Sequence, residues 1–272
     1  MPEILEIEIY RRSLAPIVGR RVSRVHAPDP WFLKRGVDAR TVRTALEGGT
    51  VVGLRRRGKL LLVDVGGRAG GDGRGDEDVD VVLGLRFGMT GRPILDDGTA
   101  PMALEYGSNR DHPSWDRFAM DFEGDGWLRI NDPRRLGGVE LDPDEGRLGP
   151  DALGLGLRDL RGALRSAAPV KAVLLDQHRI AGLGNMLADE SLWQAGIDPA
   201  RPARTLTDGE VRRLHRAIRT ALPRMLDAGG SHTGRLAPAV RTAGAVCPKD
   251  GAPLVRRRIG GRTTYSCSEH QR

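Results

Sequence analysis

LLDQHRIAGLGNMLADESLWQAGIDP, residues 174–199, spells two helices joined by a glycine turn. The apolar run that leads into it, PVKAVLLDQ from Pro169, has helical spacing and is expected to end at or just after His178. Gly182 and Gly184 then supply a tight turn, and a second helix is expected from near Asn185 through NMLADESLWQAG. Backbone N–H groups at that helix start, together with the Asn185 amide, would make an anion site suited to a phosphate. A plain Gly-capped helix pair is the competing reading, because GLGN alone specifies little.

Working outward, a third helix opens at Thr207 with Glu210 three residues on, the signature of a capping box, and Pro223 is expected to kink or shorten it. From Thr50 to Asp132 the texture is instead β-rich. VVGLRRRGKLLLVDV, VVLGLRFGM and DRFAMDFEGDGWLRI are short runs in which Phe118, Met120 and Phe122 alternate before a Gly-containing turn, so mainly antiparallel sheet is expected. The stretch Gly66 to Asp80 has too little apolar surface to order itself and reads as a mobile hairpin tip. At the start, Ile4, Ile7 and Leu14 recur at helical spacing until Pro16 and Gly19, and Glu3, Glu6 and Tyr10 fall on the neighbouring stripe. The segment from about Val246 is rich in Gly and Arg and too short for a core of its own.

The chain of 272 residues, 39% of them hydrophobic, is long enough for cores without staples. Its 43 Lys and Arg against 36 Asp and Glu leave a formal charge of +7, which favours a polyanionic partner. No apolar run has the length of a membrane span, and MPEILEIEIYRR is acidic where a signal peptide would be basic, so a cytoplasmic location is expected. Two cysteines make no disulfide framework and are left for metal or packing.

Four motifs carry chemistry. In MPE, removal of the initiator Met would expose the secondary amine of Pro2. An α-amine titrates near about 8, roughly two units below lysine, so a nucleophilic fraction exists at neutral pH. Glu3 beside it and Glu6 one turn on could handle protons. The bland alternative is an ordinary helix start, with Pro at the first position and acid in the first turn. Next, RRRGKLLL (Arg55, Arg56, Arg57, Lys59), RFGMTG (Met89) and NDPRRLGG (Arg134, Arg135, Leu136) set cations beside apolar tips. This suits a protein that neutralises phosphates and wedges a side chain into a base stack; a basic surface with a buried Met is the alternative. The helix pair above is the third motif. The fourth pairs Cys247 with Asp250 and Cys267 with His270, each with two residues between, in the two-knuckle pattern of a structural zinc site with one carboxylate ligand. A metal-free hairpin with two packed cysteines stays open.

Taken in order, PE, GK in a basic strand, FGMTG, NDPRR, LLDQ…AGLGN…ADESLWQAGIDP and the C-terminal knuckles resemble the formamidopyrimidine-DNA glycosylase and endonuclease VIII family from residue 2 to residue 271. The resemblance implies an α+β protein: an N-terminal β-sandwich with an N-terminal helix (1–147), a helix-two-turns-helix domain (148–240) and a zinc-ribbon-like hairpin (241–272), with DNA held between the halves. It implies a DNA glycosylase and AP lyase of base excision repair acting by β,δ-elimination on damaged duplex DNA as a monomer, with no redox or nucleotide cofactor. Under it Pro2 is the imine-forming nucleophile, Glu3 the proton shuttle and Glu6 a supporting carboxylate. Lys59 reaches the DNA backbone near the lesion, Asn185 binds phosphate and Arg262 grips the lesion's phosphates. Met89 and Arg134 fill the void left by a flipped nucleotide, and Arg135, Leu136 and Lys171 join the DNA-contacting set.

The sequence departs from the family pattern at four places. Leu5 stands where a second proline is usual, and Leu136 where a stacking phenylalanine is common, which implies a softer wedge. Asp250 and His270 replace two cysteines. Only sixteen residues separate Gly230 from Cys247, where members that recognise oxidised guanine carry a much longer segment. Abasic and oxidised-pyrimidine duplexes are therefore expected to be cut better than 8-oxoguanine opposite cytosine. A catalytically diverged damaged-DNA-binding protein of the same fold and a basic RNA-associated protein are the alternatives, and the PE start argues against the second.

Overall fold

The computed structural model describes residues 2–67, 79–96, 98, 100–105 and 107–272. The hairpin tip expected between Gly66 and Asp80 falls mostly on 68–78, outside the described residues. Contacts divide the chain into two units, Met1–Pro2 with Ile7–Glu145 and Glu3–Glu6 with Gly146–Arg272. Helix α1 (Ile4–Ser13) therefore starts in the second unit and continues in the first.

The first unit is a β-sandwich. Its strands are β1 (Val22–His26), β2 (Thr50–Arg57), β3 (Leu60–Gly66), β4 (Val79–Arg86), β5 (Arg92–Leu95), β6 (Asp116–Phe122), β7 (Trp127–Asn131) and β8 (Gly138–Leu141), with helix α2 (Ala39–Leu46) between β1 and β2. One antiparallel sheet has the order β1-β6-β7-β5, the other β2-β3-β4-β8. The alternation of Phe118, Met120 and Phe122 points those side chains at a core shared with Leu61, Val63, Leu83 and Leu85. Strand β3 is buried along its whole length, which accounts for its nearly unbroken apolar run. Its one charge, Asp64, accepts from Arg55 Nε at 2.9 and 3.0 Å.

The second unit is helical, with α3 (Leu157–Ala163), α4 (Val170–Leu175), α5 (Asn185–Ala195) and α6 (Asp208–Asp227), followed by the hairpin β9 (Leu254–Ile259) and β10 (Arg262–Cys267). Two expectations need correction. Helix α4 ends at Leu175 rather than near His178, because Asp176 turns extended and its carboxylate accepts the His178 N–H. Pro223 does not shorten α6, which runs on to Asp227; Leu222 and Met225 beside it are buried in the core. The capping box is present, with Thr207 Oγ1 accepting from Glu210 N and Glu210 Oε2 accepting from Thr207 N. Among the described residues no helix is long and apolar enough to cross a membrane.

The basic stripe of β2 is largely consumed internally. Arg55 pairs with Asp64 and Glu145, and Arg56 is nearly buried against Glu8. Burial alone would push the Glu8 carboxyl up, but hydrogen bonds from Arg11, Arg12 and Arg56 bring it down to about 2. A group with a lowered folded pKa contributes stability above its unfolded value and loses it as pH falls through the folded value. The unfolded value is 4.5, so the window runs from there down to about 2. The Glu8→Gln protein should be less stable than the parent at neutral pH, by on the order of 3 kcal/mol. Denaturant midpoints measured from neutral to strongly acid pH should show this gap closing across that window.

Candidate active site and metal centre

Pro2 is buried in the first unit, at a pocket of about 200 Å³ that it lines with Lys59, Arg86, Phe87 and Leu136. Lys59 follows the glycine turn of the β2–β3 hairpin, where Gly58 has φ +56°. Arg86 is fixed at the pocket by Glu140, 2.7 Å away. The structure thus brings together the candidate nucleophile, the candidate backbone-reaching lysine and one candidate wedge residue.

The Met89 and Leu136 loops meet over a buried aspartate that the sequence reading passed over. Asp132 is fully buried; Oδ1 accepts from the Thr90 hydroxyl at 2.6 Å and from Arg134 N at 3.2 Å, and Oδ2 accepts from Gly137 N at 2.8 Å. A Cβ on Gly88, whose φ is +57°, would overlap the Leu136 carbonyl, so this glycine permits the close approach. Met89 ends half-buried, Arg134 exposed, and Leu136 49% exposed, an apolar tip held in water. Arg135 is exposed, and its guanidinium makes a two-bond pair with the buried Asp29 at 2.6 and 2.7 Å through Nε and Nη2.

In the second unit the Glu3 carboxylate closes the N-terminus of α5. It accepts from Gly184 N and Met186 N at 2.8 Å and from Leu187 N at 3.2 Å. These are donors that a helix start leaves unpaired, so the anion site read from GLGN is occupied by the chain's own carboxylate. The two glycines have the same origin: a Cβ on Gly182 would overlap Ile4, and one on Gly184 would overlap the Glu3 carboxyl. Glu6 accepts from Glu3 N at 2.7 Å and from Ser231 N at 2.6 Å, tying the chain start to the segment after α6. Asn185 stands on the first turn of α5 with its buried Oδ1 unpartnered. Its amide is the part of the expected phosphate site still available.

Lys171 lies inside the second unit. It is fully buried, with Nζ 2.7 Å from Asp189 and from Thr264 Oγ1 and 3.1 Å from Thr263 O. Burial pushes its ammonium down against the pull of Asp189. Asp189 also holds Arg241 at 2.7 Å and accepts from Tyr265 N at 3.3 Å, so Lys171 docks β10 onto α4 and α5. Arg262, at the start of β10, is exposed.

One ligand atom each from Cys247, Asp250, Cys267 and His270 lies within 4.8 Å of the others. Lys249 N points at Cys247 Sγ from 3.4 Å and Gly251 N returns to Cys247 O at 2.9 Å, forming a knuckle. Two thiols, an imidazole and a carboxylate on bonds of about 2.0–2.3 Å suit a tetrahedral metal, and this cluster can coordinate one.

Stability measurements test why glycine stands at position 184. Gly184→Ala should cost about 1–3 kcal/mol, as overpacking of a buried contact does. Gly154→Ala, where the added carbon meets open space, should change stability by less than about 0.5 kcal/mol. Urea unfolding of the two proteins measures the difference, and equal costs would remove the Glu3 contact as the reason for the glycine.

Comparison with known proteins agrees with this geometry. Residues 1–139 match the formamidopyrimidine-DNA glycosylase N-terminal domain and residues 150–236 the formamidopyrimidine-DNA glycosylase H2TH domain. The chain is 36% identical over 295 residues to the formamidopyrimidine-DNA glycosylase of Thermus thermophilus, covering 98% of this chain and 97% of that one. It is 32% identical to that of Carboxydothermus hydrogenoformans, with both chains fully covered. It also resembles the Lactococcus lactis Fpg protein in complex with N7-benzyl-Fapy-dG DNA (TM-score 0.80, 26% identity, 100% of both chains). With the same protein bound to DNA containing an abasic site, the TM-score is 0.79 at 26% identity over 99% of both chains. The chain belongs to the formamidopyrimidine-DNA glycosylase and endonuclease VIII family of bifunctional DNA glycosylase/AP lyases.

Proposed function

We propose that this glycosylase/AP lyase uses Pro2 as its nucleophile. The observation that carries this is the pocket in which Pro2 sits beside Lys59 and Leu136. With Met1 removed, the secondary amine bonds to C1′ of the deoxyribose as the damaged base leaves, and Glu3, next in the chain, handles the proton of sugar ring opening. The resulting imine acidifies the C2′ hydrogens, and the 3′ and then the 5′ phosphate are eliminated. Lys59 engages the DNA backbone near the lesion, and Asn185 and Arg262 hold flanking phosphates. Met89, Arg134 and Leu136 occupy the space of the everted nucleotide. Glu6 supports Glu3 by fixing its backbone. Zinc is the metal of the Cys247, Asp250, Cys267 and His270 cluster; when bound it supplies a rigid cross-link that fixes the hairpin bearing Arg262. The protein acts as a cytoplasmic monomer.

Borohydride reduction of the protein on an abasic duplex should trap one covalent complex whose adduct maps to the Pro2 nitrogen. Intact mass should show Met1 lost from the trapped species. Full activity from a chain that keeps Met1 would sink the mechanism, because that amide nitrogen cannot form an imine.

The lesion preference rests on the short segment between α6 and Cys247. It is anchored by Ser231 N on Glu6, Leu236 N on Glu190 at 2.8 Å, and Arg241 on Asp189. A segment this short and this tethered has little length to fold over an everted base with discriminating polar contacts. Selectivity then follows the ease of leaving the stack. In single-turnover assays, abasic and oxidised-pyrimidine duplexes should be nicked at least about tenfold faster than 8-oxoguanine opposite cytosine, the factor that corresponds to about 1.4 kcal/mol. The reverse order would show that discrimination resides elsewhere.

A further inference from the structure

We propose that Trp193 is the positioning residue of the metal centre, joining the ligand cluster to α5 through both its indole and its backbone carbonyl. The proposal rests on the metal reading above and extends it to a residue outside the ligand set.

Trp193 lies in the last turn of α5, 7% exposed, in an apolar cluster with Cys247, Cys267 and Leu236. Its Nε1–H donates to Cys247 Sγ at 3.3 Å. His270 Nε2 lies 3.2 Å from its carbonyl oxygen, and the indole and imidazole rings meet edge-on at 5.5 Å. The carbonyl lies in the last turn of the helix, where it also accepts from Gly196 N at 3.2 Å; a carbonyl oxygen has two lone pairs and can take both donors.

The first consequence concerns His270. A carbonyl oxygen only accepts, so Nε2 carries the hydrogen and Nδ1 is left as the ligand nitrogen. Nδ1 is the atom that faces the cluster, 2.7 Å from Asp250 Oδ2 and 3.6 Å from Cys247 Sγ. A ligating histidine characteristically donates its second N–H to such an oxygen, which fixes both tautomer and ring plane.

The second consequence concerns Cys247. An indole N–H is a donor only, and the partner within reach is the sulfur, whose thiolate form accepts best. Together with Lys249 N, it gives this sulfur two N–H donors. Such bonds draw density from the thiolate and stabilise it as a ligand. A site with only two thiolates depends on each of them, and this chain has placed a tryptophan where it can steady both a thiolate and the substituted histidine. Metal occupancy is thereby coupled to the C-terminal end of α5.

The test is Trp193→Phe, which keeps the carbonyl and an aromatic ring and removes the N–H to sulfur bond together with part of the ring's packing volume. Cobalt(II) and zinc(II) affinities of parent and variant are measured by competition with a chromophoric chelator, together with the thiolate-to-cobalt charge-transfer band. The variant should bind both metals about tenfold or more weakly, and its band should move to lower energy because the unbonded thiolate is the better donor. In the unsubstituted chain, exchange of the Trp193 indole N–H read by NMR should be slow when zinc is loaded and fast after chelation, which decides the matter if the variant does not fold. A parent that takes up neither metal overturns the metal reading and this proposal with it. A parent that binds metal, with affinity and band unchanged in Trp193→Phe or with an unprotected indole N–H, overturns the role of Trp193 and leaves the metal reading standing.

Discussion

A single carboxylate on the start of a helix fixes where this chain begins. Glu3 accepts three backbone N–H groups at the N-terminus of α5, and Glu6 in turn accepts the Glu3 N–H. Pro2 is covalently attached to that anchored residue. A residue so near a chain terminus would ordinarily fray, since terminal residues have few contacts to hold them in order. Here the unpaired donors of a buried helix end, which need an acceptor in any case, supply the restraint. Gly182 and Gly184 exist in this chain because the anchored segment passes where their side chains would be.

The charge of the molecule is distributed less simply than its total suggests. Arg55, Arg56 and Arg135 sit in motifs that read as cationic, and Lys171 and Arg241 add to the basic total, yet each is held by a carboxylate within the fold. Desolvated cations need such partners, so burial selects them. Among the described residues, Arg134 and Arg262 are the motif cations whose side chains remain exposed without an ion pair. The basic excess is a property of composition; which cations can meet a polyanion is decided by where Asp29, Asp64, Asp189 and Glu8 fall.

The hairpin shows how a substituted site can be carried by its surroundings. Asp250 and His270 stand where the family pattern has cysteines, and they still converge on Cys247 and Cys267. The buried Lys171–Asp189–Arg241 group docks β10, and the Cys247 sulfur and His270 ring both meet Trp193. Convergence of the ligands is thus prepared by packing and ion pairing as well as by the ligands' own spacing.

Much of the architecture is local and could be read in order along the chain. The period-two run at Phe118–Phe122, the Thr207–Glu210 capping box, the start of α5 at Asn185 and the paired knuckles depend on residues within a few positions of one another. Their geometry follows from backbone periodicity and hydrogen bonds of short span. What the sequence could not assign were partners far apart in the chain. Glu3 to Gly184, Glu6 to Ser231, Arg135 to Asp29, Lys171 to Asp189 and Thr264, and Trp193 to Cys247 are all pairings of that kind. A lysine in a helix and an arginine in a turn look alike in sequence whether solvated or buried. Only the tertiary structure brings up the carboxylate, or leaves it distant, and so decides which charges serve the fold and which face outward.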